Sequence, residues 1–212
     1  MADKETDDLI ANLSGELEET KPLKHPIVRL APWVLLVFIY VVYIVYDTGL
    51  RSDLDQRLND SVFLYEVISA GLIAVFAAMA SLWLCVPDMR GQRWVVAIPN
   101  VLCANFILWV LIKAYVEGMH LPKFHVDHCM FEGFYMMAIP AAALMFISYR
   151  GSTTHPYLMA FTNMMSASFI AYLGLRFTCM MDEIGHSFVY HIVPFVLLGT
   201  FVGALARRIY KW

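Results

Sequence analysis

The chain has little of what a soluble protein carries. Only 16% of its 212 residues are charged, 60% are hydrophobic and mean hydropathy is +0.62. Soluble domains run near 25% charged, so an ordinary soluble domain is excluded. The first twenty residues are acidic rather than basic then apolar, so no cleavable signal peptide is expected. No internal repeat is visible. There is no glycine-rich nucleotide loop, no HEXXH, no CxxC and no Ser–His–Asp set on one face, so the chain is not expected to be an enzyme. The inner two-thirds of each apolar span holds no charge, where a transporter would place polar groups; Asn100, Asn105 and Asn163 are the polar residues there.

What is present is membrane. Six apolar stretches, about 32–46, 62–86, 94–116, 130–149, 157–179 and 187–206, are long enough for spans, the first extended by Val28 and Leu30. Lipid offers open backbone no hydrogen-bond partner, so all six are helices. The expected fold is all-α: a six-transmembrane-helix bundle over 32–212, behind a short N-terminal arm, 1–31, with an amphipathic helix. Trp33, Trp94 and Trp212 suit interfacial anchors. Ala70, Ala74, Ala77 and Ala78 line span two, and Gly199 and Gly203 form a GxxxG in span six; both favour close packing within the monomer. Pro99, Pro140 and Pro194 interrupt spans three, four and six.

Lys and Arg in the loops set orientation. With the N-terminus inside, ten face the cytoplasm and three, Arg51, Arg57 and Lys123, face out. Both termini are therefore expected in the cytoplasm.

The arm is then the one sizeable piece free to meet a soluble partner. In its first twenty residues seven acidic side chains stand against Lys4 alone. Leu9, Ile10, Leu13 and Leu17 share one helical stripe, with Thr6 as expected N-cap and Asp7 and Asp8 in the first turn. A helix of about 12–14 residues is marginal alone in water, so the stripe suggests folding against a partner.

The outer side gathers chemistry. Glu66, Lys113, Glu132, Arg176 and His191 lie in the outer thirds of their spans, with Glu66–Lys113 and Glu132–Arg176 as candidate pairs. His120, His125, Asp127, His128 and Cys129 lie in the third loop or at its end, and Cys179, Met181, Asp182, Glu183 and His186 in the fifth. Cys129 opens span four and Cys179 closes span five, at one depth. Three chemistries fit. A disulfide would close a loop of about 50 residues and contribute roughly 4 kcal/mol. A soft-metal site, for zinc or a similar ion, would draw on His125, His128, Cys129, Cys179 and His186. A reactive thiol pair would report oxidants. Ordinary interfacial cysteines are the plain alternative. Cys85 and Cys103 read as buried small hydrophobes.

Five motifs, in order, carry a resemblance: TDDLI at 6–10, KPLKHPIVRLAPW at 21–33, SLWLCVPDMRGQRW at 81–94, THP at 154–156 and LARRIYKW at 205–212. Together with the six spans they resemble the NrsF family, six-span inner-membrane anti-sigma factors of extracytoplasmic-function sigma factors. The resemblance implies that the cytoplasmic arm, around Asp7, Asp8, Leu9 and Ile10, holds a sigma factor away from RNA polymerase. It implies that Cys129 and Cys179, on the periplasmic side, sense oxidative or heavy-metal stress. On this view the partners are a sigma factor and lipid, with no direct nucleic-acid contact, and the location is the bacterial inner membrane. The rivals are a metal-ion transporter, which predicts flux, and a quinone-linked thiol oxidoreductase, which would use closely spaced catalytic cysteines.

Overall fold

The structure is a computed structural model that describes residues 2–15, 23–86, 92–118, 120, 122, 128–151 and 153–210. Helix α1 covers Ala2–Gly15. It begins four residues before Thr6, which therefore lies inside the helix and does not cap it. The spanning helices are α2 (Pro26–Thr48), α4 (Ser61–Leu84), α5 (Arg93–Glu117), α6 (His128–Tyr149) and α7 (Pro156–Thr178). The sixth span, Ile184–Ala204, is composite: a single turn α8 (Ile184–His186), a π-helical turn (Ser187–Ile192) and α9 (Val193–Ala204). Short helices α3 (Leu54–Arg57) and α10 (Ala206–Ile209) flank the bundle. Six helices are thus long and apolar enough to cross a membrane, and no strand occurs among the described residues.

The first span starts at Pro26, six residues earlier than its apolar run suggests. Pro26 sits where a helix needs no N–H, and His25 Nδ1 accepts from the Ile27 N–H at 3.4 Å. Pro99 and Pro140 lie buried within unbroken α-helices. Pro194 acts differently. It cannot donate to the Tyr190 carbonyl, and its ring crowds that oxygen. The turn just before it is widened, and the Val193 N–H bonds back to the Phe188 carbonyl.

The core is built around α7, the most buried span. Ala70, Ala74, Ala77 and Ala78 of α4 are fully buried, and their small side chains let the two backbones approach. Ser166 Oγ of α7 donates to the Ala74 carbonyl at 2.7 Å across that seam. On the other side, the space for a Cβ at Gly174 is filled by Met136 Sδ, 2.3 Å away, so α6 lies close against α7. The GxxxG behaves less uniformly: Gly199 faces Met164 at ordinary contact distance, while Gly203 has open space around it. Trp33 is no surface anchor. It is 2% exposed, and its Nε1–H donates to the Pro140 carbonyl at 3.1 Å. Trp94 is exposed as expected, and Trp212 lies outside the described residues.

Because the spans alternate in direction, the bundle has two distinct ends. One holds Pro26, Leu84, Arg93 and Tyr149. There Ser81, Ser148, Asn163 and Tyr210 form a buried hydrogen-bonded group, with Ser81 Oγ and Ser148 Oγ 3.0 Å apart. The other end holds Cys129 and Cys179.

Candidate functional site

Cys129 lies in the first turn of α6, and Cys179 caps the C-terminus of α7, its N–H bonding the Leu175 carbonyl at 2.8 Å. The antiparallel α6–α7 pair therefore brings together two residues 50 apart in sequence. Cys129 Sγ donates to Cys179 Sγ at 3.3 Å, and the two are not joined as a disulfide. That hydrogen bond, joined by the nearby imidazole of His191, holds the Cys179 thiol well below the usual thiol range despite burial.

Two histidines close the site. Cys179 Sγ lies 3.6 Å from His186 Nε2, and the His186 and His191 rings stand nearly perpendicular with centroids 5.1 Å apart. One ligand atom from each of Cys129, Cys179, His186 and His191 falls within 4.8 Å of the others. His191 is 1% exposed, and neither ring nitrogen makes a well-formed hydrogen bond among the described residues. Such a buried orphan is costly unless something binds it.

Of the five residues expected to hold a metal, Cys129, Cys179 and His186 meet here. His128 does not. It starts α6 with its side chain in the open, and its Nε2 lies 2.9 Å from Glu132 Oε1, one turn along the same helix. His125 lies outside the described residues. His191 was absent from the expected set because α-helical spacing rotates residues five apart by about 140°. The π-turn changes this: its i→i+5 bonding brings His186 and His191 to one side. The signal in the sequence was Pro194, three residues on.

Around the thiols runs a ladder of charge. Glu66 Oε1 pairs with Lys113 Nζ at 3.1 Å, as expected, and its Oε2 with Arg176 Nη2 at 3.0 Å. Arg176, expected beside Glu132, turns instead to Glu66 and to Asp182, whose Oδ1 is 2.6 Å from its Nη1. Asp182 also takes Arg51 at 2.8 Å and Arg57 at 2.7 Å, and Arg51 continues to Asp53 at 2.6 Å. Burial pushes the Asp182 carboxyl up, but Arg51 and Arg176 outweigh it and hold it below the usual carboxylate range. The hydrogen bond from Arg51 does the same to Asp53. The ladder fixes the segment that carries Cys179. On its other side, a Cβ at Gly185 would collide with the His120 carbonyl, so His120 and Pro122 rest on the turn that carries His186.

In the arm, Leu9, Ile10 and Leu13 are 57–58% exposed, and Asp7 and Asp8 are exposed beside them. Leu17 lies outside the described residues. Beneath the thiols, an apolar cleft of about 520 Å³ between α5, α7 and the sixth span reaches His191 and Tyr172.

A family model described as NrsF, negative regulator of sigma F, matches residues 13–212. No curated protein and no solved structure matches the chain.

Proposed function

The chain belongs to the NrsF family of negative regulators of sigma F, and on that premise we propose a membrane-embedded anti-sigma factor whose release is governed by Cys129 and Cys179. Its partner is an extracytoplasmic-function sigma factor, held at the cytoplasmic face of the bacterial inner membrane by α1. The ten-to-three bias of Lys and Arg supports placing both termini in the cytoplasm. The family match begins at Leu13, so Asp7, Asp8, Leu9 and Ile10 stand on their own chemistry. The exposed Leu9–Ile10–Leu13 stripe supplies apolar surface for a buried contact. The acidic arm speeds and orients encounter with the basic surface of a DNA-binding protein.

The observation that carries the reading is the thiol pair, 3.3 Å apart at the end of the bundle opposite the arm's attachment. Oxidative or heavy-metal stress acts there. A peroxide-class oxidant that removes two electrons and two protons joins the sulfurs as a disulfide; a thiophilic ion ligates them. Either draws the start of α6 against the end of α7, and the displaced helices pass the change to the arm.

Sigma-dependent transcription under cadmium or peroxide tests release. A Cys129→Ser, Cys179→Ser double variant should keep the sigma factor silent under both stresses; a normal response would sink the sensor assignment. Co-purification tests capture. A Leu9→Asp, Leu13→Asp variant should lose the sigma factor, and undiminished capture would reject the stripe.

A further inference from the structure

We infer that Cys129, Cys179, His186 and His191 form one four-coordinate site for a divalent d10 cation of the zinc–cadmium type, with His191 as the ligand that completes it. The inference rests on the reading of Cys129 and Cys179 as the sensing pair, and makes the two histidines of the sixth span part of the sensor.

The geometry points to it first. With metal–sulfur bonds of about 2.3 Å and metal–nitrogen bonds of about 2.0–2.1 Å, a tetrahedral ion holds sulfur and nitrogen ligands about 3.6 Å apart and two sulfurs about 3.8 Å apart. Cys179 Sγ and His186 Nε2 stand 3.6 Å apart, and the two sulfurs 3.3 Å. These two pairs therefore need a shift of about half an ångström or less to meet a tetrahedral ion. All four donor atoms already lie within 4.8 Å of one another.

Burial supplies the second, independent reason. His191 is 1% exposed, and neither ring nitrogen makes a well-formed hydrogen bond among the described residues, although the Cys179 thiol lies near enough to interact with the ring. Its ring stands across from that of His186. A histidine retained there only for packing would carry two desolvated polar atoms that a phenylalanine would not. A bound cation satisfies one of them directly.

Charge decides which ions fit. A divalent cation on the two sulfurs as thiolates gives a neutral centre, any remaining thiol proton leaving to water. Neutrality matters in a site buried at the edge of lipid. A monovalent ion on two thiolates would leave a net negative charge. The adjacent ladder cannot offset it, because its four cations, Lys113, Arg176, Arg51 and Arg57, are matched by Glu66, Asp182, Asp53 and Asp60. Two thiolates and two imidazoles also suit a borderline or soft ion over calcium or magnesium.

The consequence is mechanical. The four ligands come from the start of α6, the end of α7 and the sixth span on both sides of its π-turn. A disulfide would tie two helices; a cation would tie three segments.

Cobalt is the probe, with zinc and cadmium as competitors, on the full-length reduced protein in lipid nanodiscs without any sigma factor. The wild type should bind one cobalt with the visible spectrum of a tetrahedral sulfur–nitrogen site and give it up to zinc or cadmium. His191→Phe should weaken binding by more than about 100-fold, beyond the usual loss from an outer-shell change. Equal binding by wild type and His191→Phe, or no tetrahedral cobalt in wild type, would overturn the site. If His191→Phe does not fold, His191→Cys decides: it should bind cobalt with stronger thiolate charge-transfer absorption, and an unchanged spectrum refutes ligation by residue 191. Sigma capture by the same preparations is measured separately. Failure of the cation site with capture intact leaves the anti-sigma reading standing, and loss of capture with cobalt bound does the reverse.

Discussion

Replacing Arg176 with Met should cost about 2–4 kcal/mol of bundle stability. Arg176 is buried, with only 4% of its side chain exposed, and it bridges Glu66 and Asp182 at 3.0 and 2.6 Å. Removing one partner of an isolated buried pair costs about 3–5 kcal/mol, mostly from the charge left behind. Here the loss is smaller, because Glu66 keeps Lys113, and Asp182 keeps Arg51 and Arg57. It is not negligible, because the ladder falls from four cations against four anions to three against four. The guanidinium also lies 5.0 Å from the Phe63 ring, a cation–π contact that Met replaces with ordinary packing. Equilibrium unfolding in mixed micelles measures the cost directly. Adding Glu66→Gln restores the balance to three and three, so the double variant should lose about 1–3 kcal/mol less than the sum of the single losses. Lys113 can then extend toward the rim. A single variant within about 0.5 kcal/mol of wild type, or strict additivity, would show that the ladder is solvated in the membrane and the pairing argument wrong.

Other expectations follow from the same geometry. Asp182 has its folded pKa lowered, so its stabilisation is present above the ordinary carboxylate value near 3.9 and is lost as pH falls through the lower folded value. Unfolding titrations stepped down through pH 4 should show this loss, and Asp182→Asn should flatten it. Asn163→Leu removes the hub that joins Ser81, Ser148 and Tyr210; it should cost about 1–3 kcal/mol in the same assay. Gly185→Ala would drive the His120 backbone away, because no rotamer avoids a Cβ. It should cost about 1–3 kcal/mol and raise protease cleavage in the third loop.

The six spans, the alanine stripe of α4 and the Glu66–Lys113 pair were readable in the sequence, because each depends on composition or on one period. The Cys129–Cys179 pairing was readable as shared depth, since a residue in the first turn of one span and the residue after the end of the next lie at one surface. Three features were hidden. Trp33 reads as an anchor, yet a buried indole can satisfy its one donor on a backbone carbonyl, and which carbonyl depends on where α6 packs. Arg176 could not be assigned between Glu66 and Glu132, since all three lie at the same end and only helix rotation chooses. His191 was missed as a site residue because periodicity assumes a regular α-helix, and one proline downstream breaks that assumption.

The α6–α7 seam beneath the thiols yields the last expectation, which bears on how the site is coupled to the bundle. Gly174 lies five residues before Cys179, and its missing side chain is replaced by Met136 of α6, with Sδ 2.3 Å from where a Cβ would stand. Met136 is fully buried, so it has no free space into which to swing. Gly174→Ala should therefore displace Met136 and, where its packed neighbours hold it, push α6 away from α7 by part of an ångström. Cys129 rides on α6 and Cys179 on α7, so the sulfurs should separate from their 3.3 Å contact. Closing a bond between them would then slow by roughly tenfold or more, since misplacement of about 1 Å is enough for such losses. Timed oxidation of the purified protein with diamide, read as loss of free thiol, measures this. Diamide takes the two electrons and two protons as the disulfide forms. A matching slowdown in stress-induced transcription would tie sensing to the separation of these two helices. An unchanged oxidation rate in a folded Gly174→Ala protein would mean that the thiols are positioned by the Arg176–Asp182–Arg51 ladder alone, and the seam would have no part in the signal.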